Sequence, residues 1–295
     1  MDIETLNALY SHAGWVTFTY GENGFPLALI TTPDATAVIT LYGAHLLSYH
    51  PHTDGRDVLF LSEKAIFQEG TPIRGGVPIC WPWFGSRDHS PDHGVARSQM
   101  WRIIDSELLE NDECALTFEL TDTPQTYALW AHRFTLTLRV TVGKKLTMEL
   151  TTHNDDTAPF TITQALHTYF SLHDITQTTI RGLEGCVYSD KTDHGAEKRD
   201  HDPITITGEV DRVYHYDGGE IGIEEETRTL HIASEGSKTA VVWNPWIRVC
   251  AQKADLDAQD YQKMVCVESA TIGEDSITLH PNESFTLKTT YWSTK

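Results

Sequence analysis

Two ionisable residues stand where ionisable residues are costly. His167 lies in TITQALHTYF, among apolar and small polar neighbours. Glu268 lies in MVCVESA as a lone carboxylate directly after Met264-Val265-Cys266-Val267. Burying an isolated carboxylate is expensive unless it is paired, hydrogen-bonded or neutral. Desolvation raises its pKa, which suits a general base. An imidazole in such a run is either a satisfied core group or an aimed catalytic one, and for a single histidine the core reading is the commoner. Two such groups, each in an apolar strand, point to a shared cavity.

A second concentration of chemistry runs from Thr71 to Trp101, TPIRGGVPICWPWFGSRDHSPDHGVARSQMW. Pro72, Pro78, Pro82 and Pro91 each fix φ and remove a backbone donor, so a regular helix or central strand is disfavoured here. Gly75 and Gly76 directly follow Arg74, a pair that permits a tight turn or a close backbone approach. Arg74 and Arg97 offer permanently charged, forked donors to phosphate or carboxylate. Trp81, Trp83 and Phe84 have flat apolar faces of the kind that line pockets. A well-packed loop with two surface arginines is the plain alternative; disorder is excluded by the aromatic content. Asp211-Arg212 in EVDRVYH could be a surface ion pair worth little. Trp243-Asn244-Pro245-Trp246 is either core and turn or an aromatic rim against a sugar face.

Other chemistries lack their signatures. The fifteen histidines include only loose pairs, His50 with His52 and His89 with His93, and there is no H-E-x-x-H. A metal or cofactor is therefore not expected. No phosphate-cradling GxxxxGK[ST], no helix-opening GxGxxG and no GxSxG elbow is present.

The elements that must position these groups are strands. The 295 residues include about twenty short β-branched or aromatic runs separated by Gly, Pro, Asn and Asp, and few helical ones. FTLTLRVTV alternates, with Phe134, Leu136, Leu138 and Val140 on one face, and Gly143-Lys144 turns it into KLTMELTT. Glu22 to Gly24 reads as a hairpin turn. Met1 to Ser11 predicts a short amphipathic helix, Lys64 to Gln68 a helical turn, and Asp190 to Asp202 a charged, solvated loop. No fixed-period repeat or Pro/Ser-rich linker divides the chain. The pattern predicts an all-β fold, one large antiparallel β-sandwich domain over residues 1–295 with few short helices.

The net charge of −20 argues against nucleic acid and against an acidic membrane surface. An anionic small molecule would need a local positive cluster set against that field. The five cysteines are odd in number and widely spaced, which suits reduced, mostly buried thiols. With no basic lead, apolar export core or membrane-length run, the expectation is a soluble cytoplasmic protein.

RGGVPICWPWFG, DHGVAR with SQMW, QALHTYF, VDRVY, WNPW and VCVESA occur in that order across residues 74 to 270. This ordered set resembles the aldose 1-epimerase (galactose mutarotase-like) superfamily, and within it the glucose-6-phosphate 1-epimerases, or hexose-6-phosphate mutarotases. The resemblance implies a galactose mutarotase-like supersandwich that interconverts hexose 6-phosphate anomers without a cofactor. It implies His167 as general acid and Glu268 as general base, on opposite sides of a sugar-sized hollow. It implies substrate contacts from Arg74, Asp92, His93, Arg97 and Asp211, to which the aromatic-rim reading of WNPW adds Trp243. Asp92 departs from the Gln common before HG in the family, and an ionised Asp cannot donate and would repel a phosphate it faced. The partner implied is a small-molecule sugar phosphate handled by a monomer. Alternatives are a mutarotase for unphosphorylated aldoses, a non-catalytic sugar-binding module on the same fold, and a cupin-like metalloenzyme.

Overall fold

The computed structural model describes residues 1–295 throughout. Antiparallel sheets dominate it, with three short α-helices at Ile3–Tyr10, Pro124–Leu129 and Trp246–Gln252. Two large sheets, of nine and eight strands, stand beside a four-stranded N-terminal sheet and a two-stranded one. The alternation read from FTLTLRVTV holds: Phe134–Val142 pairs with Leu146–Asn154 in unbroken register, Phe134 opposite Asn154 and Val142 opposite Leu146. Every second residue of both strands is buried. Leu136, Leu138, Met148 and Leu150 pack in one cluster with Leu166, Val242, Val265 and Val267 of the eight-stranded sheet. Each such side chain contributes about 1.5–3 kcal/mol on burial.

The Met264–Thr271 strand lies inside the eight-stranded sheet, and all its residues are buried. Val265 and Val267 face the main core, whereas Cys266 and Ala270 belong to separate small clusters on the opposite face. A strand covered on both faces reads as a continuous apolar run, which is why Glu268 looked anomalous.

Several local expectations change. Lys64 to Gln68 forms no helical turn. Pro124–Leu129 is helical because Thr123 and Thr126 form a capping box with proline in the first turn. Asp190 to Asp202 is not a free loop. Val187–Asp190 and Ala196–Arg199 pair as a hairpin on the sheet edge, and Lys198 is held 2.8 Å from both Asp190 and Asp193. Trp81 and Trp83 are core groups: the Trp81 indole N–H donates to Thr152 Oγ1 at 2.9 Å and that of Trp83 to the Pro91 carbonyl at 3.0 Å. A buried indole needs an acceptor as well as an apolar slot, and the neighbouring elements provide both. The five cysteines are unpaired, and all but Cys186 are buried. No helix is long and apolar enough to cross a membrane.

Candidate active site

The floor of the site follows from strand register. Gln164–Leu166 and Tyr169–Ser171 both pair with Met264–Thr271, Leu166 opposite Ser269 and Tyr169 opposite Cys266. Carrying that register across the gap sets His167 against Glu268. Directly opposed antiparallel residues hold their Cβ atoms about 4.5–5.5 Å apart. His167 Nδ1 accordingly lies 3.3 Å from Glu268 Oε1. The approach lacks hydrogen-bond alignment, and neither Nδ1 nor Glu268 Oε2 has another partner. Both residues are nearly sealed, at 8% and 2% exposure.

The two groups are therefore neighbours on one wall, not opposed across a hollow. Such proximity is compatible with ring opening of a sugar. The anomeric hydroxyl and the ring oxygen are bonded to the same carbon, so an acid and a base serving them can sit close together. Burial, reinforced by Asp211, pushes the Glu268 carboxyl well above its ordinary range, with Arg97 opposing. Burial, then His93, Arg97 and Arg74, holds the His167 imidazole well below its own. Both shifts favour the uncharged forms, so the pair holds one proton that rests on the carboxyl, with the imidazole beside it neutral.

The same sheet face supplies the walls of a cavity of about 540 Å³. Val241 pairs with Glu268 and Trp243 with Cys266, while Val213 and Asp211 pair in turn with Val241 and Trp243. Side chains directly opposite in a sheet share a face, so Asp211, Trp243 and Glu268 face the cavity together. Tyr169 stacks on His167 with ring centroids 4.9 Å apart, and Trp243 meets His167 edge-on at 6.2 Å. Across the cavity His93 stands 5.7 Å from His167 and edge-on to Phe84 at 4.7 Å. The Gly85 N–H donates to His93 Nδ1 at 3.3 Å, which leaves the imidazole proton on Nε2. Burial and the nearby cations hold this imidazole down at about 3, so it is neutral and can donate to a sugar oxygen.

Loops build the rim. Gly75 and Gly76 have positive φ, and a Cβ on either would strike backbone of Phe60 and Leu61 or the Leu46 carbonyl. Their close approach is thus to the protein itself, and it delivers Arg74 to the cavity. Arg74 Nε donates to Asp255 Oδ2 at 3.0 Å and a terminal nitrogen donates to the Tyr169 hydroxyl at 2.9 Å. Asp92 and Arg97 do not line the cavity. Asp92 is exposed, and its carbonyl accepts from Arg97 at 2.7 Å. Arg97 nevertheless acts on the floor through its charge.

The lining also includes Tyr169, Lys191, Ser86 and Lys253, none of them picked from the sequence. Tyr169 carried a signal, since it lies two residues from His167 in QALHTYF and strand alternation gives both the same face. Lys191 comes from the hairpin read as a loop. Lys253 follows the Trp246–Gln252 helix, which neither reading of WNPW, core and turn or aromatic rim, included.

Residues 26–292 match the family model for aldose 1-epimerase. A protein of Escherichia coli (strain K12) named "Putative glucose-6-phosphate 1-epimerase" is 37% identical over 253 residues, covering 84% of each chain. One of the same name from Cenchrus ciliaris is 37% identical over 262 residues, covering 84% of this chain and 78% of its own. The crystal structure of a "putative mutarotase (YeaD)" from Salmonella typhimurium superposes with a TM-score of 0.89 over 99% of both chains at 31% identity. This chain belongs to the aldose 1-epimerase family.

Proposed function

We propose that the protein interconverts the α and β anomers of a hexose 6-phosphate, with glucose 6-phosphate as the preferred substrate, by acid–base ring opening and reclosure. The observation that carries this reading is the contact of His167 with Glu268 on the floor of a sugar-sized, aromatic-walled cavity. With the shared proton on His167, Glu268 accepts the anomeric hydroxyl proton while His167 protonates the ring oxygen. The C1–ring oxygen bond breaks with its electron pair going to oxygen, and an open-chain aldehyde forms. The proton is then on Glu268. Rotation about the C1–C2 bond presents the other carbonyl face. The ring hydroxyl attacks C1, His167 takes its proton, and Glu268 returns a proton to the new anomeric oxygen. Each positioned acid or base typically contributes about 10²–10⁴ in rate. The neutral His93 donor, Asp211 and the Trp243 face orient the ring, and the positive charge on the Arg74 side of the rim recognises the phosphate.

Activity is expected to be bell-shaped in pH. A second proton on the pair removes the base and loss of the last proton removes the acid, so the limbs belong to the pair. Saturation-transfer NMR between the anomers of glucose 6-phosphate, corrected for the spontaneous rate, tests the reading. Exchange above background, faster for glucose 6-phosphate than for glucose, is expected. No exchange above background for either sugar would leave a binding module, and equal exchange would remove the phosphate from the account.

A further inference from the structure

The charges of Arg74 and Arg97 both act on Lys253 at one side of the cavity, but the commitments of the three cations differ. Arg74 is engaged with the Asp255 carboxylate and the Tyr169 hydroxyl. Arg97 lies outside the lining and donates to the Asp92 carbonyl. Lys253 lines the cavity, yet its ammonium makes no hydrogen bond and no ion pair within 4.0 Å. It is half-buried and lies within the fields of both Arg74 and Arg97, with Asp255 and Asp92 as the opposing charges. Burial and then Arg74 depress its proton affinity, so the free site holds this charge at a cost. An anion entering beside it removes that cost. The other lysine of the lining, Lys191, is likewise without a hydrogen bond or ion pair, but its charge acts on the Asp211 carboxyl of the floor, and neither Arg74 nor Arg97 is among the charges it accompanies there.

We propose that Lys253 is the residue that selects phosphorylated over free hexose, its ammonium binding the phosphate dianion beside Arg74 while C1 lies over His167 and Glu268. This rests on the reading of the cavity as a hexose phosphate site. Tyr169 connects the two ends of such a substrate, since its ring stacks on His167 and its hydroxyl accepts from Arg74. The Arg74 fork is already engaged with Asp255 and Tyr169, so it supports the phosphate only with the donors those contacts leave over. A lysine is a compact charge with three rotatable donors and suits a tetrahedral dianion approached from any side.

The test compares wild type, Lys253→Met, Lys253→Arg and Lys191→Met. For each, kcat/KM is measured with glucose 6-phosphate and with glucose, together with inhibition of glucose turnover by inorganic phosphate. Lys253→Met is expected to lose about ten- to a hundred-fold with glucose 6-phosphate, the worth of one charge-assisted hydrogen bond. It should keep glucose turnover and lose most of the inhibition by phosphate. Lys253→Arg is expected to recover part of the preference, and Lys191→Met to retain it. Retained turnover of glucose shows that the variant is folded. A wild type without preference for the phosphorylated sugar would defeat the hexose phosphate reading and this inference with it. A wild type whose preference survives in Lys253→Met, or disappears in Lys191→Met, would overturn the role of Lys253 alone.

Discussion

The floor and the rim of the cavity are built by different means. On the floor, His167, Glu268, Trp243 and Asp211 are fixed by the pairing register of adjacent strands. A one-residue slip would turn every one of them to the other face. On the rim, Arg74, Lys191 and Lys253 come from a glycine turn, an edge hairpin and the end of a seven-residue helix. Their placement depends on loop contacts such as Arg74 with Asp255. Chemistry that needs sub-ångström placement therefore rests on the sheet, and recognition that tolerates adjustment rests on the loops.

If this division holds, floor and rim substitutions should fail differently. Glu268→Gln keeps the shape of the side chain and removes the base. It is expected to lower kcat by about two to four decades with little change in KM, measured by anomer exchange. Near-native turnover would remove Glu268 from the role. Arg74→Ala should act mainly on kcat/KM, costing glucose 6-phosphate about ten- to a hundred-fold. Glucose should suffer less, because only the support of Tyr169 is lost. Equal losses for both sugars would mean that the rim recognises no phosphate.

Arg97→Ala should have a smaller effect, since Arg97 reaches the floor only through its field. Its positive charge lowers the pKa of both His167 and Glu268. Removing it raises both, so the whole pH–rate bell is expected to move to higher pH. A shift of the opposite sign would contradict the electrostatic coupling. The smallest effect is on stability. The folded-state pKa of Glu268 lies above its ordinary value, so the native state holds this proton more tightly than the unfolded chain does. The stability that the group contributes is full below the ordinary carboxyl range and is lost as pH rises through the raised value. An amide in its place does not titrate and carries no such loss. The Tm of Glu268→Gln relative to wild type is therefore expected to rise by a few degrees from pH 5 to pH 8.

The contrast between floor and rim also explains what could be read in advance. His167 and Glu268 stood out because an ionisable residue in an apolar strand breaks the local pattern. Their contact was not readable, because it depends on how two strands a hundred residues apart are registered, and the expectation of opposed groups missed their adjacency. Tyr169 was within reach by strand alternation. Lys191 and Lys253 were not, since a charged hairpin tip and a helix end look like solvated surface until the neighbouring elements are placed. Of Trp81, Trp83 and Phe84, whose faces suited either a pocket or a packed loop, only Phe84 lines the cavity. Tryptophan-rich sequence does not distinguish a pocket from a core, and here Thr152 and the Pro91 carbonyl satisfy their indoles inside the protein.

The central claim is that the imidazole and the carboxyl act as one unit holding one proton. The most direct measurement is a double-mutant cycle on anomer exchange of glucose 6-phosphate with His167→Asn, Glu268→Gln and the double variant. Groups that act as a unit are expected to be strongly non-additive, each single change costing nearly as much as both together. Losses that simply add, or a single variant that turns over like the wild type, would contradict the account.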